Sequence, residues 1–411
     1  VSAQQPGTSL FKDPSFQQRF MGTYGLLPGV EPAIDKSNEE ETAYFLAVKE
    51  LLQADNMAGL KSKLQTDMDP QVSHAALQFM LANIWFQEGN NTEAEKWYKS
   101  AIKKFPSYLR AHKNLGLVYY QKGEMTYAIQ SLSEAVTLGD RSGQTMGLLG
   151  LCHLAQEDWI PAETALLNAI VLEPDKDQWR KALLQALFGA ERYDAAHGML
   201  AKMLESKPDD PKLWLMKGRA LMELRRPEGA TMAFETLRHM GEAEPEILEI
   251  LGAIYLDQEQ PKGNAALAAY QAAAAGSQKL KGSTVLRTAN LLFGAQFTAQ
   301  AKTYVNSLRP RLGELTPQEQ LDLRTLEAKI AREEGDDARA STILQDIILK
   351  DNRNGDARIE LAQFFERQMK ACEDDAKKAE FYARASLYFD QAMQIESSEA
   401  LAALRYGQML V

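Results

Sequence analysis

Large and small apolar residues return along this chain at one fixed interval. Around Asn114-Leu115-Gly116-Leu117-Val118-Tyr119 the series runs on through Gly123, Ala128, Leu132 and Ala135. Thirty-four residues upstream it reads Leu81-Ala82, Trp85, Gly89, Ala94, Tyr98, Ala101 and Pro106. Thirty-four downstream it reads Leu149-Gly150, His153, Ala162, Leu166, Ala169 and Pro174. Further steps give Leu183, Leu187, Ala196, Leu200 and Pro208, then Trp214, Gly218, Leu221, Ala230, Phe234 and Leu237. The frame holds from about residue 75 to 255. Such a period predicts a pair of short helices per repeat: Gly116, Ala128 and Ala135 let the two approach, while Tyr119 and Leu132 fill the space between them. Proline near the end of a period forbids helix continuation, and glycine in Gly-Asn-Asn, Lys-Gly-Glu and Glu-Gly-Asp-Asp suits the left-handed residue that ends a helix. No stretch alternates with period two, so no sheet is expected.

Outside that core the frame loosens. Ala47-Val48, Leu51, Leu60 and Leu64 form a degenerate first repeat, and two extra residues enter near Gln260-Pro261-Lys262-Gly263. Later units carry Ala289, Leu292, Ala301 and Val305, then Ala328, Ala331, Gly335, Ala340 and Leu344, then Leu361-Ala362, Phe365, Ala385, Phe389 and Ala392. The last of these holds about eleven additional residues, Lys370 to Glu380. The expected organisation is an N-terminal extension and capping helix over 1–40, about nine repeats over 41–397, and a C-terminal capping helix over 398–411. Asp13-Pro14-Ser15 reads as a helix start followed by Phe16 and Phe20 at helical spacing, a segment suited to shielding the first apolar edge of an array, the alternative being one that docks in trans or folds back into the groove.

These positions resemble the tetratricopeptide-repeat (TPR) family. Its repeat carries Leu-Gly at positions seven and eight, Tyr at eleven, Ala at twenty and twenty-seven, and Pro near thirty-two. The resemblance implies an all-α solenoid, a right-handed superhelix of helical hairpins that binds peptide or protein partners in a concave groove and catalyses nothing. In that family the first helix of each hairpin faces the ligand. Its ligand-facing positions fall here on Phe79, Asn83 and Phe86; on Arg110, Lys113, Leu117 and Tyr120; on Lys181, Gln185 and Phe188; and on Lys212, Leu215, Arg219 and Met222. Glu246, Glu249 and Asp257 follow with the opposite charge. The basic-aromatic run suits an extended peptide bearing carboxylates. Asn83 and Asn114 match two positions of the carboxylate clamp that some members use, but the full clamp is absent.

Composition narrows the chemistry. A formal net charge of −10 over 411 residues makes nucleic acid and anionic lipid poor partners. No apolar run reaches the roughly 18 residues of a membrane span; the stretch from Ala265 to Gly276 is mostly alanine and fits a buried helix. Cys152 and Cys372 make no zinc spacing, and the five histidines, His74, His112, His153, His197 and His239, pair nowhere at i, i+4, so neither metal nor cofactor is expected. The segment from Gly276 to Thr284 has the wrong glycine spacing for a phosphate loop and reads as an inter-repeat connection.

The chain begins Val-Ser-Ala-Gln-Gln-Pro without methionine, which fits removal of a signal peptide or an engineered start. The stretch from Phe16 to Pro32 resembles the periplasmic TPR component of bacterial TonB–ExbB–ExbD energy-transducing systems. That resemblance implies a periplasmic scaffold with TonB-system components among its partners, a cytoplasmic location staying open. The alternative is a TPR adaptor for envelope assembly, polysaccharide export or pilus biogenesis. Self-association through the apolar end near Leu410-Val411 also stays open.

Overall fold

The computed structural model describes residues 32–410 apart from 36 and 72. The helix expected at Phe16 and Phe20 lies outside the described residues. Among those residues there are twenty-one α-helices, one 3-10 turn and no strand. The fold is all-α, built of consecutive helical hairpins. The chain divides into two compact units, one ending at Met199 and one starting at Leu200.

The first unit contains α1 (Glu39–Gln53) and α2 (Met57–Asp67), α3 (Ala75–Gln87) and α4 (Asn91–Lys104), α5 (Leu109–Lys122) and α6 (Met125–Thr137), then α7 (Gly143–Ala155) and α8 (Trp159–Leu172). It closes with α9 (Asp177–Gly189) and the first part of α10 (Tyr193–Ser206). The second unit holds α11 (Pro211–Glu223) and α12 (Pro227–Met240), α13 (Pro245–Asp257) and α14 (Gly263–Gly276), and α15 (Gly282–Gly294) and α16 (Thr298–Ser307). A 3-10 turn, Arg309–Glu314, leads to α17 (Pro317–Glu333) and α18 (Asp337–Lys350), α19 (Gly355–Ala371) and α20 (Asp375–Met393), and the single helix α21 (Glu399–Leu410). First helices begin at 75, 109, 143, 177, 211 and 245, each 34 residues after the last. The added residues near Lys370 lengthen both helices of their hairpin, to 17 and 19 residues, instead of forming a loop.

Local chemistry sets these boundaries. Asn56, Asn90, Asp336 and Asn354 each accept a backbone N–H three residues on, satisfying a donor that the first turn leaves open. Thr316 and Glu319 close a reciprocal capping box, and Pro211, Pro227, Pro245 and Pro317 occupy first helical positions where a missing N–H costs nothing. The small residue of the frame permits close approach: a Cβ on Gly116 would stand 2.6 Å from Leu132 Cγ, and one on Gly150 would stand 2.6 Å from Leu166 Cγ. Gly218 is closed in the same way by Phe234, and Gly252 by Tyr270. In the second unit one apolar cluster runs from Leu221 to Ile330 and another from Ala328 to Met409.

Candidate interaction site

The frame puts Phe79, Asn83, Phe86 and Tyr120 on a ligand face, and the structure corrects all four. Phe79 is 1 % exposed, its ring centroid 4.9 Å from that of Tyr108, with the Arg110 guanidinium 4.8 Å above it. Phe86 and Tyr120 are buried too, and burial pushes the Tyr120 phenol up to about 12. Asn83 is held in a polar network between hairpins: its Oδ1 accepts from Tyr98 Oη and, at 3.0 Å, from Asn114 Nδ2. The two asparagines that match clamp positions therefore bind each other, and a buried amide in this state has no reach toward a ligand.

Lys113 departs from expectation in another way. It is half-buried, and burial holds its ammonium below the usual lysine range, against the pull of Asp140 and Glu173. The remaining first-unit positions are an exposed Lys181 and half-buried Gln185 and Phe188, with Phe188 edge-on to Tyr193 at 5.8 Å.

In the second unit the expected pattern is accessible. Lys212 and Arg219 are exposed, Met222 is 37 % exposed, and all three stand on one face of α11. Neither cation forms an ion pair among the described residues. Trp214, on the adjoining face, stacks under Lys217 at 4.9 Å.

Sequence reasoning missed a cavity of about 520 Å³ bounded by α13, α14, the following loop, α15 and Tyr304 of α16. Its lining includes the apolar Ala273, Ala274, Leu280 and Val285 together with Glu246 and Glu249, one turn apart on α13. Arg287 of α15, largely exposed, donates to Glu249 Oε2 at 2.6 Å. Burial nevertheless holds the Glu249 carboxyl above the usual carboxylate range, with Glu246 adding to the effect and Arg287 opposing it. Tyr270 and Tyr304 line the interior, both nearly sealed from solvent, and burial pushes both phenols up to about 12. Thr288 opposes the rise at Tyr304, whereas Tyr270 Oη is buried with no partner among the described residues. The closing loop is stapled: Arg311 donates to the carbonyls of Ala274 at 2.6 Å and Ser277 at 2.9 Å, while Glu314 accepts the Leu280 N–H at 2.8 Å.

The cavity follows from three small or polar residues at packing positions. Val136, Ile170, Leu204 and Arg238 occupy one frame position at successive 34-residue steps, and Ala274 takes it next after the two extra residues near Gln260. Because α15 starts 37 residues after α13, Thr288 follows Leu183, Lys217 and Leu251 at one helix position, and Thr284 follows Trp179, Leu213 and Ile247 at another. Reading those columns down the frame would have found the space.

Among the described residues no three His, Cys, Asp or Glu side chains converge as metal ligands, and no helix is long and apolar enough to cross a membrane. Cys152 is fully buried, and burial raises its thiol well above the ordinary range.

Comparison with known proteins gives the repeats a family. Residues 82–123 match the family model described as TPR repeat, and residues 187–254 match that described as Tetratricopeptide repeat. The human protein O-mannosyl-transferase TMTC1 is 29 % identical over 182 residues, which is 40 % of this chain and 19 % of that protein. Human tetratricopeptide repeat protein 7B is 28 % identical over 102 residues, 25 % of this chain and 12 % of its own length. This chain thus spans under a fifth of either relative. Among solved structures, YrrB, described as a TPR protein with an unusual peptide-binding site, has 19 % identity over 43 % of this chain and 91 % of its own, at a TM-score of 0.40. The C-terminal part of a TPR repeat-containing protein from Cytophaga hutchinsonii has 18 % identity over 57 % of this chain and 96 % of its own, at 0.43. Residues 82–123 and 187–254 are thus tetratricopeptide repeats, set in one 34-residue frame on helical hairpins of the expected construction.

Proposed function

We propose that the protein is a non-catalytic scaffold whose first-helix faces hold an extended, carboxylate-bearing segment of a partner protein. The coarser statement, a protein–protein interaction scaffold, rests on the repeats themselves. The finer one is carried by one observation: Lys212, Arg219 and Met222 share an accessible face of α11, and the two cations have no internal partner among the described residues. Unpaired cations beside apolar surface favour a segment that supplies both carboxylates and side chains to cover it. Lys181 offers a further exposed cation on the first helix of its own hairpin. The non-catalytic reading rests on the same repeats.

We place this scaffold in the bacterial periplasm, with components of a TonB energy-transducing system as partners, a reading that rests on the stretch from Phe16 to Pro32 alone. The test is affinity capture from an envelope extract with wild type and with Lys181→Glu/Lys212→Glu/Arg219→Glu. An exposed ion pair contributes about 0.2–1 kcal/mol, so reversing three charges weakens capture by about tenfold or more, and added salt weakens the wild type likewise. Capture that ignores the triple change sinks the proposed face. Loss of envelope proteins other than TonB-system components keeps the face and moves the assignment to envelope assembly, polysaccharide export or pilus biogenesis.

A further inference from the structure

We propose that the cavity between α13 and α15 is a pocket for a cationic side chain, arginine or lysine, of the partner segment; this rests on the reading that first helices face the partner. The acidic pair Glu246 and Glu249 alone would be an ordinary solvated edge. The interior makes it more. Tyr270 is 1 % exposed and lines the space, and its buried Oη has no hydrogen-bond partner among the described residues. Tyr270 and Tyr304 present aromatic surface, and acid groups over aromatic walls form the usual environment for a desolvated cation.

The protein already shows the chemistry in reduced form. Arg287 reaches Glu249 Oε2 from the solvent side, so this carboxylate accepts a guanidinium, and its Oε1 has no hydrogen bond among the described residues. Of the two lysines on the loop, Lys279 lies near Glu314 and Glu319, while Lys281 lies near Glu249 and opposes an incoming cation. About 520 Å³ falls in the range of small-ligand pockets and exceeds what one side chain fills, so part of the flanking peptide enters as well. The loop that closes the pocket is fixed by Arg311 and Glu314, so binding need not order it. A partner would thus meet cations on α11 and then acids on α13, which sets its direction along the second unit.

The experiment is calorimetric titration of the full chain with three probes: acetyl-arginine methylamide, acetyl-glutamate methylamide, and agmatine, which carries the guanidinium without peptide groups. We expect saturable binding of capped arginine, none of capped glutamate, and weaker binding of agmatine. Glu249→Gln should weaken capped arginine about tenfold and Tyr270→Phe about threefold, whereas Arg287→Ala, which frees the carboxylate, should strengthen it. Absence of saturable binding by capped arginine overturns the proposal, as do equal binding of capped glutamate, indifference to Glu249→Gln, and weakening by Arg287→Ala. Agmatine binding more tightly than capped arginine overturns the assignment to a partner's side chain in favour of a free amine. Glu249→Gln leaves Lys181, Lys212 and Arg219 intact, so failure here and failure of the capture experiment report on separate surfaces.

Discussion

Six consecutive hairpin turns put a left-handed residue at one position of the frame: Asp55, Gly89, Gly123, Glu157, Glu191 and Arg225, with φ between 51° and 79°. The geometry is the same whether or not glycine is present, so the fold imposes it and the residue bears the cost. An L-residue with a Cβ loses roughly 1–2 kcal/mol there, and glycine returns about 0.4–1 kcal/mol of that because it is freer in the unfolded chain. Glu157→Gly, Glu191→Gly and Arg225→Gly should each stabilise by about 0.5–1 kcal/mol, and the three together by about 1.5–3 kcal/mol. None of these side chains forms an ion pair among the described residues, so the backbone term stands alone. The reverse changes give the control. Nothing lies within 4 Å of a Cβ built on Gly89 or Gly123, so Gly89→Ala and Gly123→Ala should each lose about 1 kcal/mol without any clash. Urea unfolding followed by circular dichroism reads both series: with a slope on the order of 3 kcal/mol/M, the triple glycine variant moves the midpoint up by about 0.5–1 M. A midpoint that falls in the triple variant, or stays still in Gly123→Ala, would refute the conformational account.

Other predictions concern packing and charge. Gly116→Ala drives a methyl group into Leu132 and should cost about 1–3 kcal/mol, more than Gly123→Ala seven positions away; equal costs in the same titration would contradict close approach as its role. Asn114→Ala removes a donor from Asn83 and should cost about 1–3 kcal/mol, with a double-mutant cycle against Tyr98→Phe strongly non-additive; additive losses would dissolve the network. Lys113 has its ammonium depressed by burial, so the folded state binds fewer protons than the unfolded one as pH nears the ordinary lysine value of 10.5. Stability of the wild type relative to Lys113→Met should therefore rise with pH toward 10.5, and a falling difference would show that Asp140 and Glu173 outweigh burial.

The fold was legible in the sequence because it rests on a few columns read many times. Leu-Gly, the packing alanine and the turn glycine recur at fixed spacing, so errors at single positions cancel. The site was legible only in part, because a face is decided by what lies next to it. Family position alone put Phe79, Asn83 and Tyr120 outward, but Tyr108, Asn114 and the surrounding helices enclose them. On α11 the same kind of position leaves Lys212 and Arg219 exposed. The cavity is a deficit of volume at Ala274, Thr284 and Thr288, and deficits leave no motif; they emerge only when one column is compared with its predecessors.

The Asn83–Tyr98–Asn114 network bears on a hazard peculiar to repetitive chains. Hairpins cut to one template can dock on the wrong neighbour and still bury most of their apolar surface. In the columns of this frame, Asn83 corresponds to Leu117, Leu151, Gln185, Arg219 and Ala253, and Asn114 to Met80, Leu148, Ala182, Met216 and Ile250. A stack mispaired onto Leu117, Leu151 or Ala253 would leave Asn114 facing an aliphatic side chain with its amide stranded, at a cost of about 1–3 kcal/mol that correct stacking avoids. Two asparagines thereby act as a key between hairpins, fixing which copy sits beside which in a chain whose other contacts are nearly interchangeable.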